Sequence, residues 1–194
     1  MNKYLKFGII GILVFLAVSV MIFVGMYNGL VSAGVTVDNN WSQVRIQLQR
    51  RYDLIPNIVE ATKDYMAFEA SLLTNITLAR SAWANSLSNG NVETQMQAGD
   101  QLGEATRQIL LLATVENYPQ LGSQEVVLTM LDELAGTENR IAYRRELYNT
   151  AVANYNRGVQ SIPTNIIAGM TGFTIKPYYL GGTGIDDVPV VDLG

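Results

Sequence analysis

The sequence predicts an all-α protein, with an N-terminal transmembrane helix that continues into an elongated antiparallel four-helix bundle and ends in an irregular C-terminal tail. Three observations carry this expectation. Residues 7–26 form a run of twenty residues without a charge. Beyond it, apolar residues recur at spacings of three and four as far as Val159, the period of helices with one buried face. No segment alternates with period two over a useful length, so nothing reads as a half-buried strand.

The apolar run comes first. At about 1.5 Å per residue it spans about 30 Å, the thickness of a bilayer's hydrocarbon core. A cleavable signal peptide has a shorter apolar core, about 7–15 residues. Val31-Ser32-Ala33 resembles a cleavage site, but Tyr27 and Asn28 separate it from the run, which favours a retained anchor over a removed signal. Lys3 and Lys6 precede the run, and no further basic residue occurs until Arg45. The positive-inside rule then places residues 1–6 in the cytoplasm and the remainder outside. Gly25, Gly29 and Ala33 recur every four residues at the membrane exit. Small residues so spaced let helices approach closely, which makes them a candidate oligomer contact. The competing reading is that the glycines merely loosen the helix end.

The helices follow in order, with the bundle drawn over residues 27–162. Tyr27, Leu30, Gly34, Val37, Trp41, Val44, Leu48, Tyr52 and Ile55 form one stripe in phase with the membrane segment, so the first helix is expected to run unbroken to about Leu54. Pro56 disfavours helix at Ile55 and predicts a kink or tight turn. A second stripe opens at Ile58 and ends at Leu87, with Glu69 in phase inside it. Ser88-Asn89-Gly90-Asn91 reads as a loop with an N-cap for the third helix. That helix runs from Val92 to Ala113, weakened by Gly99 and Gly103. Asn117-Tyr118-Pro119-Gln120 predicts a capped start for a long fourth helix that stops near Pro163. Residues 163–194 read as irregular, with a glycine spacer and an acidic extended tail.

Composition limits the chemistry. The 194 residues include neither Cys nor His, which removes disulfides, thiol nucleophiles, His–Cys zinc sites and imidazole acid–base catalysis. Of 13 Lys and Arg, two precede the apolar run, leaving 11 against 17 acidic residues beyond it, a net −6. A face of that sign excludes nucleic acid as a partner. The acidic pairs Asp132-Glu133 and Asp186-Asp187 do not converge on a site, and Gly181-Gly182-Thr183-Gly184 lacks the strand and helix of a phosphate loop. No cofactor or metal is implied, and the chain reads as non-enzymatic.

Glu138 and Arg145 stand out because they fall inside the apolar stripe of the fourth helix. Seven residues apart, they do not pair with each other; each is expected to meet a charge on a neighbouring helix, with Arg50, Arg51, Asp53 and Glu69 as candidates. Two readings compete. In the favoured one, Glu138, Arg145 and Arg51 form a structural polar core that fixes register. In the other they form a polar ligand site. Tyr27-Asn28, Tyr148-Asn149 and Tyr155-Asn156 repeat a dipeptide and read as core and rim packing.

These segments resemble the LemA family of bacterial membrane proteins. The resemblance rests on Tyr27-Asn28 with Leu30-Val31, on WSQVRIQLQRRYDLIPNIVE at 41–60, on Glu116-Asn117-Tyr118-Pro119, on ELAGTENRIAYRRELYNTAVANYN at 133–156, on Pro163-Thr164-Asn165 and on Gly172-Phe173. It covers residues 27–179, and the tail beyond Leu180 follows no family pattern. The resemblance implies a transmembrane helix with an antiparallel bundle in the bacterial inner membrane, no catalytic residues, and, through a group from magnetic bacteria tied to the magnetosome membrane, a part in membrane organisation. Two functions follow as expectations. One is a self-associating scaffold in contact with membrane lipid; the other is an adaptor that presents its bundle or tail to another envelope protein.

Overall fold

The computed structural model describes residues 3–65, 68–113, 118, 121 and 124–181. Five helices follow in order: α1, Lys3–Thr62; α2, Ala70–Asn89; α3, Val92–Leu112; α4, Glu125–Gln160; and α5, Thr164–Thr171. Among the described residues there is no strand. The chain divides into two compact units, one of Met1–Asn40 with Asn149–Pro177, the other of Trp41–Tyr148 with Tyr178–Gly194.

Several boundaries differ from those expected. Helix α1 does not stop near Leu54 but runs to Thr62 with Pro56 inside it. The proline removes one hydrogen bond, to the Tyr52 carbonyl. Packing on both sides outweighs that loss, because Leu48, Ile55, Ile58 and Thr62 are all completely buried on one face. Ile58 and Thr62 therefore belong to α1, and α2 starts only at Ala70. Glu69 is not on a buried stripe; it precedes the first turn of α2 with extended backbone and accepts a hydrogen bond from the Ser71 hydroxyl at 3.2 Å. Helix α3 starts where the loop signature places it, with the Asn91 side chain accepting from the backbone N–H groups of Glu93 and Thr94. The expected cap of the fourth helix falls on Asn117, Pro119 and Gln120, which lie outside the described residues, and α4 starts at Glu125. The segment after Pro163 is not wholly irregular: α5 occupies it and ends at Gly172, whose φ of 81° closes the helix with N–H groups of Gly172 and Phe173 both on the Ala168 carbonyl.

In the unit of Trp41–Tyr148, contacts define the register. Gln49 accepts from the Trp83 indole N–H, and the Arg80 guanidinium lies over the Tyr52 ring, so α1 and α2 are antiparallel. Trp41 donates to Gln95, while Leu48 meets Gly99 and Arg51 meets Gly103, so α1 and α3 are parallel. Trp41 packs on Tyr148, Gln47 accepts from Arg140 and Arg51 donates to Thr137, so α1 and α4 are antiparallel. Up-down-up-down order is what short connections between four amphipathic helices give.

In the other unit, α1 and the end of α4 approach closely through glycines. A Cβ on Gly34 would lie 3.5 Å from the Tyr155 ring, and one on Gly158 would lie 3.3 Å from Leu30. The Asn156 side chain, nearly buried, makes two hydrogen bonds to the backbone of Lys176, donating to its carbonyl at 2.9 Å and accepting from its N–H at 2.8 Å. Lys176 pairs with Asp38 and lies over the Tyr155 ring. Tyr27 stacks at a tilt on Phe173, with centroids 5.6 Å apart. The repeated Tyr-Asn pairs are thus packing and clamping positions.

Candidate functional site

Among the described residues, the buried charge of the bundle is Arg51. It falls on the α1 face defined by Val44, Leu48, Ile55 and Ile58, where its side chain is 2% exposed. Its Nη2 lies 2.8 Å from Glu138 Oε1 on α4. That contact is misaligned for a hydrogen bond, so the attraction is mainly charge to charge. The Nε–H donates to the Thr137 hydroxyl at 3.3 Å, and that hydroxyl donates to the Leu134 carbonyl at 2.6 Å. Burial lowers the Arg51 pKa, and Glu138 opposes that shift. Gly103 leaves room for the guanidinium, since a Cβ there would sit 3.1 Å from Nη1.

Glu138 is placed differently from expectation. Thr137, not Glu138, occupies the buried position of α4, and the Glu138 side chain is 47% exposed at the rim. The reason is one of phase: the buried α4 residues Leu131, Leu134, Thr137, Ile141 and Tyr148 leave Glu138 about 100° round from Thr137. Arg145 is partly buried and pairs with Asp100 of α3 at 3.1 Å, a partner the sequence does not advertise. Of the other candidates, Arg50 pairs with Glu133 at 2.8 Å, as does Arg140 at 2.7 Å. Asp53 accepts from Gln49.

Tyr179 is the residue the sequence reading missed. It lies in the extended stretch after α5, where no periodicity marks it, yet it is almost wholly buried. Its hydroxyl lies 3.1 Å from Asp100 Oδ1 and 3.2 Å from the Met96 carbonyl, and donates to this pair of acceptors. Its ring lies 3.9 Å beneath the Arg145 guanidinium and packs edge-on against Trp41. Gly99 makes the space, because a Cβ there would fall 2.8 Å from the hydroxyl and 2.9 Å from Leu48. Gly181, at φ 79°, is needed as well, since any Cβ would collide with the Arg145 guanidinium. Burial raises the Tyr179 pKa, so the hydroxyl stays a donor at neutral pH. Burial also raises that of Asp100, against the opposing pull of Arg145 and Tyr179.

Beside this lattice lies a cleft of 830 Å³ whose charged lining is balanced: Arg51, Arg107 and Arg145 against Asp100, Glu104 and Glu138. Arg107 and Glu104 pair with each other at 3.0 Å. Each of these charges therefore has a protein partner, and the arrangement ties α1 to α4 and α3 to α4. Among the described residues, no three His, Cys, Asp or Glu side chains converge as a metal site would require.

The candidate oligomer contacts lie elsewhere. Gly25 and Gly29 are exposed, and a Cβ on either would meet nothing within 4 Å. Ala33 is half-buried.

A helical bundle built on a helix long and apolar enough to cross a bilayer defines a class, that of membrane-associated helical proteins. The chain belongs to the LemA family, whose sequence profile matches residues 40–192. The match starts past the apolar span and continues through the tail to Asp192, so the resemblance does not end near Tyr179 as the motifs alone suggested. The chain is similar to magnetosome protein MamQ 2 of Paramagnetospirillum magneticum, 27% identical over 193 residues, which cover 89% of this chain and 70% of that protein. It is also similar to magnetosome protein MamQ of Magnetospirillum gryphiswaldense, 26% identical over 174 residues, with 79% and 64% covered.

Proposed function

We propose that this protein is a non-enzymatic, single-pass scaffold that self-associates in the bacterial inner membrane and organises the membrane around it. The observation that carries this reading is the open Gly25–Gly29 face of α1, where none of the described residues comes within 4 Å of an added Cβ. Small residues facing outward at a membrane exit allow backbones of adjacent copies to pack closely, and such packing drives helix association in lipid. Head-to-tail contacts of this kind repeat into rings or arrays according to whether the rotation closes. The magnetosome names of the relatives accord with a part in membrane organisation. Retention of the anchor is supported by Tyr27 and Leu30, which cleavage after Ala33 would remove from their contacts with Phe173 and Gly158.

The test is the size of the full-length protein in mild detergent, measured by light scattering. The expected result is a large homo-oligomer that Gly25→Leu with Gly29→Leu breaks down while helical content stays unchanged. A wild-type protein that is monomeric across detergents would remove the scaffold reading and favour the second, an adaptor presenting its bundle or tail to another envelope protein.

A further inference from the structure

The turn after α4 and the helix that follows it form an uncharged element: from Gly158 to Ile175 no residue carries a charge. Helix α5 has one buried face, with Ile167 and Ala168 at 6% and 2% exposure. Its other face carries Ile166 and Met170, four apart and 61% and 73% exposed, and Ile162 in the turn before the helix is 83% exposed. Large apolar side chains exposed together on one short element are costly against water.

The contacts of this unit fix the level at which α5 lies. Helix α1 and the end of α4 run antiparallel, with Gly34 against Tyr155 and Leu30 against Gly158. Helix α4 ends at Gln160, two residues beyond Gly158, so the chain leaves it just past the level of Leu30, on the side of the apolar span. At the far end of α5, Phe173 meets the ring of Tyr27. The end of α5 is therefore held at the level of Tyr27, beside the apolar span. Beyond Phe173 the chain turns away from the apolar span, toward Asn156 and Asp38.

We infer that α5 is an interfacial helix that inserts Ile162, Ile166 and Met170 into the boundary between lipid head groups and acyl chains, in the leaflet from which α1 emerges. The inference rests on reading residues 7–26 as a membrane anchor. The occupant is lipid because the apolar face continues that of the anchor at the same level, and because a charge-free surface suits the acyl boundary and needs no anionic lipid. The element would set the depth of the bundle and resist tilting of α1, since it adds a second point of contact with the same leaflet.

The chain contains no cysteine, so single cysteines can be introduced and labelled with an environment-sensitive fluorophore. The sites are Leu13→Cys in the apolar span, Ile166→Cys and Met170→Cys on α5, and Ser88→Cys in the exposed last turn of α2. Full-length protein is reconstituted in phosphatidylcholine vesicles with or without lipid carrying a quencher high on its acyl chain. Labels on Ile166→Cys and Met170→Cys are expected to lose about half their emission or more, as for a group buried ~5–10 Å into the interface. Leu13→Cys should be quenched by lipid as well, whereas Ser88→Cys should be quenched only by aqueous iodide. Quenching at Leu13→Cys with iodide-accessible labels on α5 would overturn the inference and leave the anchor intact. Labels on α5 shielded from both quenchers would mean that a second copy covers this face, which also overturns it. No lipid quenching at Leu13→Cys would remove the anchor reading itself.

Discussion

The ion pair between Arg51 and Glu138 is asymmetric, and that asymmetry can be measured. Removing a partner from a fully buried pair costs about 3–5 kcal/mol, whereas an exposed pair contributes about 0–1 kcal/mol. Here one side chain is 2% exposed and the other 47%, so water already screens the carboxylate but reaches little of the guanidinium. Glu138→Ala leaves a buried cation with only the Thr137 hydroxyl, and we predict a loss of about 2 kcal/mol, between the two limits. Arg51→Met removes the charge, fills much of the volume and lets Glu138 return to solvent, so it should stay within about 1 kcal/mol of wild type. In the Arg51→Met background, Glu138→Ala should then cost almost nothing. The assay is urea unfolding of the full-length protein in mild detergent, followed by the fluorescence of Trp41 and Trp83, both buried in this unit. A loss of about 2 kcal/mol corresponds to a midpoint shift of about 1 M urea. Equal losses from Glu138→Ala in both backgrounds, or none in either, would refute the reasoning.

Gly99→Ala is predicted to destabilise the bundle by about 1–3 kcal/mol, because its Cβ would overlap the space of Tyr179 and Leu48, and Trp41 emission should change as Tyr179 is displaced. The Asp100 carboxyl has a raised pKa in the folded state, so its contribution to stability is fullest below the unfolded value of about 3.9 and declines as pH rises through the folded value. Asp100→Asn should therefore gain on wild type in urea midpoints as pH rises through the Asp100 titration, and a pH-independent difference would contradict this. Lys3 and Lys6 predict that protease added outside intact cells, with any outer membrane permeabilised, digests the bundle; digestion only after lysis would reverse the topology.

Elements that depend on local pattern were legible in the amino-acid order. Twenty uncharged residues require a helix in lipid, since no other open structure satisfies their backbone there. Period-3.6 stripes gave the helical class, and Asn91 could be read as a cap because a side-chain acceptor there has one local task. Pro56 misled because local rules record the lost hydrogen bond but not the burial of Ile55, Ile58 and Thr62 that outweighs it. Helix α5 was illegible because two turns are too short for a periodic signal to rise above chance.

The polar lattice was legible only in its ingredients. Charges on an apolar stripe announced that partners must exist, but a shift of one residue in phase, about 100°, decides whether Thr137 or Glu138 is buried, and intervals in the sequence do not resolve that. Arg145 with Asp100, and Tyr179 with both, join residues from 34 to 79 positions apart in the chain. Gly99 and Gly103 read as weak points of a helix, since their local effect is a loss of helix propensity. Tertiary structure shows them as the space that admits a tyrosine and a guanidinium between helices. That space depends on which helices are neighbours, and a neighbour exists only once the chain has folded back on itself.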